Sequence, residues 1–270
     1  MSQLTMLGTG NALATRCYNT CFYLRTPQGG LLVDGGGGNG IFRQLRRAEI
    51  PLEAVRHIFI THCHLDHLLG VVWLVRRIAA MRYNGRHPGL TIHCHDEAHQ
   101  ALLTISRLTM PEKIMQALGG DIVIDELADG GHFSIGEMQF TCFDIGSTKA
   151  KQLGFTVELP EGGRFTCLGD EPYNERNEAV VRGSRWLLCE AFCLNKEQHQ
   201  FRPYEKHHST VLDAARAAQQ LGVEHLVLYH TEDTHLSTRR ITYGAEAAQV
   251  FQGHVHVPDD IETIHLTEDN

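Results

Sequence analysis

Short apolar runs alternate with stretches of helical periodicity along the chain, and glycine-containing turns separate them. Runs too short for helices, and rich in β-branched or aromatic residues, predict strands. They fall at 4–7, 21–24, 31–33, 57–60, 90–93, 122–124, 138–143, 155–159, 165–168, 186–188 and 226–229. Helices are predicted over 40–48, 68–81, 97–118 with a break at Pro111, 175–182, 210–221 and 239–251. Val211, Ala214, Ala215 and Ala218 show the reason, since their spacing lines one helical face. The strand-then-helix order occurs in both halves, as two sheets sandwiched between helices require. No tandem repeat and no low-complexity linker divides the 270 residues, so 1–270 reads as one α/β domain.

The polar residues with chemical potential stand just past the carboxyl ends of predicted strands. Asp34 follows Leu31-Leu32-Val33, His62 follows Ile58-Phe59-Ile60, and Asp170 follows Phe165-Thr166-Cys167-Leu168-Gly169. Glu190 follows Trp186-Leu187-Leu188-Cys189, and His230 follows Leu226-Val227-Leu228-Tyr229. Sheet proteins place functional loops along that edge because a rigid base carries them. Residues distant in sequence are therefore expected to converge on one rim.

The densest of these positions is Thr61-His62-Cys63-His64-Leu65-Asp66-His67. Three imidazoles and one carboxylate within six positions supply nitrogen and oxygen donors of the kind that bind zinc, manganese or iron. His62 and His64, two apart at a strand end, direct their rings to the same side. The alternative, a solvated histidine-rich loop, leaves the His-x-His-x-Asp-His order without a reason.

This motif resembles that of the metallo-β-lactamase superfamily, most closely its ribonuclease Z branch. The resemblance implies a four-layer αββα sandwich, two divalent metals with zinc foremost, and metal-assisted hydrolysis by a metal-bound hydroxide. It implies metal ligation by His62, His64, Asp66, His67, Asp170 and His230. Asp170 would bridge the two ions, and Asp66 would also orient the nucleophile. His207-His208-Ser209-Thr210 is similar to the branch's Gly-His-Ser-Thr segment. His208 would then protonate the leaving oxygen, an imidazole's usual task near neutral pH, with Glu190 fixing its orientation. Leu7-Gly8-Thr9-Gly10-Asn11, Asn19-Thr20-Cys21 and Leu32-Val33-Asp34-Gly35 also look like the family's opening. Their expected role is architectural, with Asp34 supporting a metal-bound histidine.

The resemblance has gaps. A third histidine on the loop after a mid-chain strand completes the first metal site in the family. Here that loop reads Phe143-Asp144-Ile145-Gly146-Ser147-Thr148-Lys149-Ala150-Lys151-Gln152-Leu153-Gly154-Phe155, and Gly146 takes the histidine's place. The first metal keeps His62, His64 and Asp170, and its site is weakened; Asp144 is the nearest carboxylate that could compensate. After His230 comes Thr231-Glu232-Asp233-Thr234, and there is no long basic arm rich in glycine and proline. Together with a net charge of −8, these departures count against transfer-RNA processing. A small phosphodiester or RNA-like substrate is expected, and the resemblance brings a homodimer with it. The rival readings are a lactonase or thioesterase, and a metal-binding protein with an impaired first site and little catalysis.

Composition changes three further points. Eight cysteines without a Cys-x-x-Cys pair, several inside apolar runs, suit a reduced cytoplasm. No apolar run reaches the length of a membrane span, so no membrane partner is expected. Eighteen histidines are more than one centre needs. His93, Cys94, His95 and His99 are read as a surface loop. Arg43, Arg46, Arg47, Arg76, Arg77, Arg82 and Arg86 are read as solvated helix faces.

Overall fold

Each predicted apolar run becomes a strand in the computed structural model of the protein, which describes residues 1–267. In chain order the strands are β1 (Gln3–Gly8), β2 (Cys21–Thr26), β3 (Gly29–Val33), β4 (His57–Phe59), β5 (Leu90–Cys94), β6 (Ile122–Glu126) and β7 (His132–Ile135). They continue with β8 (Met138–Asp144), β9 (Leu153–Glu158), β10 (Arg164–Cys167), β11 (Trp186–Glu190), β12 (His225–Tyr229), β13 (His254–His256) and β14 (Thr263–His265). The helices are α1 (Gly40–Arg47), α2 (Leu65–Tyr83), α3 (Asp96–Thr109), α4 (Glu112–Met115), α5 (Glu178–Val181), α6 (Gln198–Phe201), α7 (Val211–Leu221) and α8 (Leu236–Ala247). One sheet has the order β14-β1-β2-β3-β4-β5-β6, the other β13-β12-β11-β10-β9-β8-β7. In each, an antiparallel meander passes into parallel strands, β3 to β6 in the first and β10 to β13 in the second.

Alternation along the strands builds the layers. Ile58 of β4 faces the helices, packing with Leu45 of α1, Val71 and Leu74 of α2 and Leu102 of α3. Its neighbour Phe59 faces the opposite sheet and meets Phe155 edge-on at 5.2 Å. In β12, Leu226 and Leu228 pack towards α7 and α8 while Val227 and Tyr229 enter the space between the sheets. Three apolar layers therefore separate helices, sheet, sheet and helices, the αββα order expected.

The departures from the sequence reading have physical causes. β7, β13 and β14 were not expected. All three are edge strands of only four, three and three residues, too short to declare an apolar pattern. α2 begins three residues before the expected 68, because its first turn is made of exposed Leu65 and the polar pair Asp66 and His67. The region 175–182 forms a 3-10 turn followed by one helical turn. His93 and His95 correct the surface-loop reading, since both are buried. His93 lies in β5, stacked on Phe133 and hydrogen-bonded to His57 and Asp125 at 3.2 and 2.8 Å. His95 caps α3, accepting from the Ala98 amide. His99 is half-buried and pairs with Glu126. These rings belong to packing. No helix among the described residues is long and apolar enough to cross a membrane.

Two contacts fix where α2 begins. The Gly35 amide donates to the His67 carbonyl, and the Gly70 amide to the Gly36 carbonyl. A Cβ on Gly70 would lie 1.8 Å from the Gly35 carbonyl oxygen, so helix and turn meet backbone to backbone. Gly70→Ala should cost about 1–3 kcal/mol or more through overpacking, read as a lowered urea midpoint. Gly38→Ala, with open space around it, should cost far less; equal losses would show that the close approach is not what matters.

A second expectation concerns acid. Burial, then the charges of His93 and Arg56, hold the His57 imidazole down at about 4. The unfolded ring takes up a proton near about 6.5. The stability gained by keeping it neutral is present above that pH and is lost as pH falls through 4. His57→Gln should flatten the decline of the urea midpoint between those values; an unchanged slope would assign the decline to other groups.

Candidate metal centre

The carboxyl ends of the parallel strands of both sheets meet at one rim. From the first sheet come Asp34, the segment from Thr61 to His64, and the first turn of α2 with Asp66 and His67. From the second come Asp170 after β10, Glu190 at the end of β11, and His230 after β12. Asp34 and His230 both adopt left-handed backbone, with φ of 58° and 57°. Such conformations are uncommon for residues with a side chain and collect where the surroundings impose them.

Each histidine ring is tied at one nitrogen. Asp34 Oδ2 accepts from His67 Nδ1 at 2.7 Å and from the Thr61 hydroxyl at 2.8 Å, while Oδ1 accepts from the Thr61 amide at 2.8 Å. The Thr61 hydroxyl, having given its proton to Asp34, accepts from His62 Nδ1 at 2.9 Å. Thr20 repeats the device: its hydroxyl donates to the Gly10 carbonyl and accepts from His230 Nδ1, both at 3.0 Å. The Nδ1 protons are assigned from this network, and the Nε2 atoms of His62, His67 and His230 are aimed inward, that of His62 also accepting from His64 Nδ1 at 2.8 Å. They lie 3.6 Å (His62), 3.7 Å (His67) and 3.6 Å (His230) from one oxygen, Oδ2 of Asp170. Asp66 Oδ2 stands 3.2 Å from His67 Nε2.

The burial is nearly complete, so the charges act strongly on one another. Burial opposes the ionised form of Asp170, but His62, His230, His67 and Lys149 outweigh it and hold the carboxyl well below its usual range. Asp66 is lowered in the same way by His67 and His230 against its burial. Burial drives His62 well below the usual imidazole value and His230 to about 3. At His67 the pull of Asp66 and Asp34 overcomes burial and raises the ring well above the ordinary value.

His67 Nε2 and Asp66 Oδ2 are buried and face each other at 3.2 Å, in a geometry that gives neither a good hydrogen bond. Buried polar atoms without partners are costly, and a metal ion would satisfy both. Asp66, His67 and His230 form one close-set donor group, and His62, His67 and Asp170 another. A tetrahedral ion with imidazole and carboxylate ligands fits these donors.

The sequence profile of the Beta-lactamase superfamily domain matches residues 31–231, which include every one of these side chains. The chain belongs to the beta-lactamase superfamily. It is 27% identical to a ribonuclease Z of Prochlorococcus marinus (strain MIT 9303), covering 88% of this chain and 87% of that one. It is 28% identical to a ribonuclease Z of Methanothermobacter thermautotrophicus, with coverage of 98% and 97%. Among solved structures, the short form of human tRNase Z superposes with a TM-score of 0.76 at 19% identity, over 98% of this chain and all of that one. The two-sheet fold is thus that of the metallo-β-lactamase sandwich.

Of the expected residues, His62, Asp66, His67, Asp170, His208 and His230 come together, while His64 meets the group through His62 Nε2. His208 brings a ring nitrogen to within 4.8 Å of the donor atoms of Asp170 and His230, and its ring stacks on Phe192 at 5.0 Å. Glu190, fully buried, stands behind it with Oε2 3.5 Å from His208 Nδ1 and Oε1 accepting from the Ser209 amide at 2.6 Å. Burial raises the Glu190 carboxyl above its ordinary value, against the opposing pull of His208 and Ser209. Asp144 does not join the donors. It accepts from the Gly146 amide at 2.7 Å and faces Arg176. Gly146 has φ of 83°, and a Cβ there would meet Arg176 at 2.8 Å, so a side chain at this position is strained. The sequence reading missed Thr61, Lys149 and Gln152. Gln152, the last polar residue before β9, is fully buried with its amide 2.6 Å from Asp170 Oδ1.

Asp34→Asn tests the support of the rings, since asparagine tolerates left-handed backbone and keeps the shape. Loss of such a support typically weakens metal binding about 10–100-fold. Chelator competition should show that loss with the far-ultraviolet dichroism unchanged; undiminished affinity would remove Asp34 from the metal centre.

Proposed function

We propose that the chain is a metal-dependent phosphodiesterase resembling ribonuclease Z, acting on a small phosphodiester or an RNA-like substrate. The observation that carries this reading is the pairing of a buried, pre-oriented His/Asp donor cluster with His208 and Glu190 at its edge. Asp66, His67, Asp170 and His230 hold a divalent metal, and the mixed nitrogen and oxygen donors favour zinc over manganese or iron. When bound, the metal polarises the phosphoryl group and activates water. Asp66 also orients the attacking water. His208 delivers a proton to the leaving oxygen, and the buried Glu190 keeps the imidazole turned towards it.

The cleft beside His208 encloses about 490 Å³ and is lined by Tyr173 and Tyr204 together with Glu171 and Glu175. Its aromatic walls suit stacking of a base, and its carboxylates disfavour a long polyanion. These features support a small diester more than a whole transfer RNA, while the names of the relatives support RNA.

We read the remaining properties from the same structure. The two sheets share one apolar core, as a single domain requires. The eight free thiols suit a reducing compartment such as the cytoplasm. A homodimer belongs to the same reading, with exposed Trp73 of α2 as a contact on offer; a monomer mass by light scattering would dismiss it.

The decisive assay compares bis(p-nitrophenyl) phosphate with a lactone, a thioester and a precursor transfer RNA. Zinc-loaded protein should turn over the phosphodiester fastest, and faster turnover of lactone or thioester would replace this reading. His208→Ala should lower kcat by about 10²–10⁴-fold, the usual worth of a positioned acid, with metal content unchanged. An unaltered kcat would take the proton-donor role from His208.

A further inference from the structure

The two oxygens of Asp170 keep different company. Oδ2 faces the three imidazoles, while Oδ1 accepts the Gln152 amide at 2.6 Å. The loop that carries Gln152 also delivers Lys149. Its ammonium lies 3.0 Å from Glu171 Oε1 and 3.9 Å from Asp170 Oδ2, with most of the side chain enclosed. The loop is folded to hold it there. The Ser147 hydroxyl donates to the same Glu171 oxygen at 2.9 Å and accepts from the Lys149 amide at 3.1 Å, and Thr148 bonds His207 across the cleft. A fixed positive charge thus stands beside the very oxygen that faces the three imidazoles.

The other side of the centre agrees. His62 gives its Nδ1 proton to Thr61, so its bare Nε2 accepts from His64 Nδ1 at 2.8 Å. The two rings are satisfied by each other. Asp66, His67, Asp170 and His230 offer one ion two carboxylates and two imidazoles. His62, His64 and Asp170 offer a second ion one shared carboxylate and two mutually bonded rings, and the loop 146–152 adds no histidine, cysteine or carboxylate. A second divalent ion would have to share Asp170 Oδ2 with the first ion and with an ammonium 3.9 Å away, and like charges repel strongly in a buried site.

Resting on the phosphodiesterase reading, we propose that this chain holds one divalent metal, on Asp66, His67, Asp170 and His230, and that the Lys149 ammonium supplies the centre's second positive charge. Lys149 acts as a positioning cation. It neutralises Asp170 and Glu171 and presents a point charge to an anionic phosphoryl substrate, a role lysine fills well.

The test counts metal. Wild type, Lys149→Met and Lys149→Arg are expressed with zinc, freed of loose ions on a desalting column and measured by plasma mass spectrometry. Circular dichroism checks their fold. One zinc per chain is expected for wild type and Lys149→Arg, and close to two for Lys149→Met. Two zinc ions in wild type overturn the proposal, as does a Lys149→Met count equal to that of wild type. The wild-type count decides even where Lys149→Met does not fold. Cleavage of bis(p-nitrophenyl) phosphate by the same wild-type sample separates the two readings. Two zinc ions with cleavage remove the lysine proposal alone, whereas no zinc or no cleavage removes the phosphodiesterase reading beneath it.

Discussion

The carboxylate of Asp34 is the constraint on which the centre depends. It is buried at the end of β3, in left-handed backbone, with both oxygens committed. One oxygen takes the proton of His67 and that of the Thr61 hydroxyl; through Thr61 it also sets His62, and through His62 it sets His64. A single acidic group thereby chooses the tautomer and direction of three rings in consecutive turns of chain. An imidazole left free to rotate would lose entropy on binding a metal, and His67 has been ordered by folding already.

The fold supplies the two halves that Asp34 cannot reach. β3 and β4 deliver the histidine motif from one sheet, and β10, β11 and β12 deliver Asp170, Glu190 and His230 from the other. The Gly35–Gly70 contact seats the first turn of α2, which places Asp66 and His67 against the turn after β3. Thr20 performs for His230 the task that Thr61 performs for His62. The pattern of a hydroxyl that donates to an oxygen and accepts from a ring therefore occurs once on each side of the centre. Asp170 joins the sides, since its Oδ2 faces rings from both.

Much of this was legible in the chain. The apolar runs marked every interior strand and the edge strand β6, and the residue after several of the runs marked the rim. The Gly-Asp turn and the histidine motif named the donors, and the segments around Asn19-Thr20 and Asp34 were expected to be architectural beside the site. Three things escaped. Edge strands such as His132–Ile135 are half exposed and too short for a pattern. His93 and His95 read as surface residues because histidine carries no sign of the stacking partner or cap that buries it. Lys149 and Gln152 looked like ordinary loop residues, since their meaning lies in a carboxylate about twenty positions further along the chain that only the tertiary fold brings to them.

The most direct test of the account is diffraction from crystals grown with zinc, recorded on both sides of the zinc absorption edge. The account predicts an anomalous peak ligated by Asp66, His67, Asp170 and His230, about 2.0–2.1 Å from the Nε2 atoms of the two histidines. Zinc-loaded crystals with no anomalous peak at this cluster, or with the ion bound elsewhere, would contradict it.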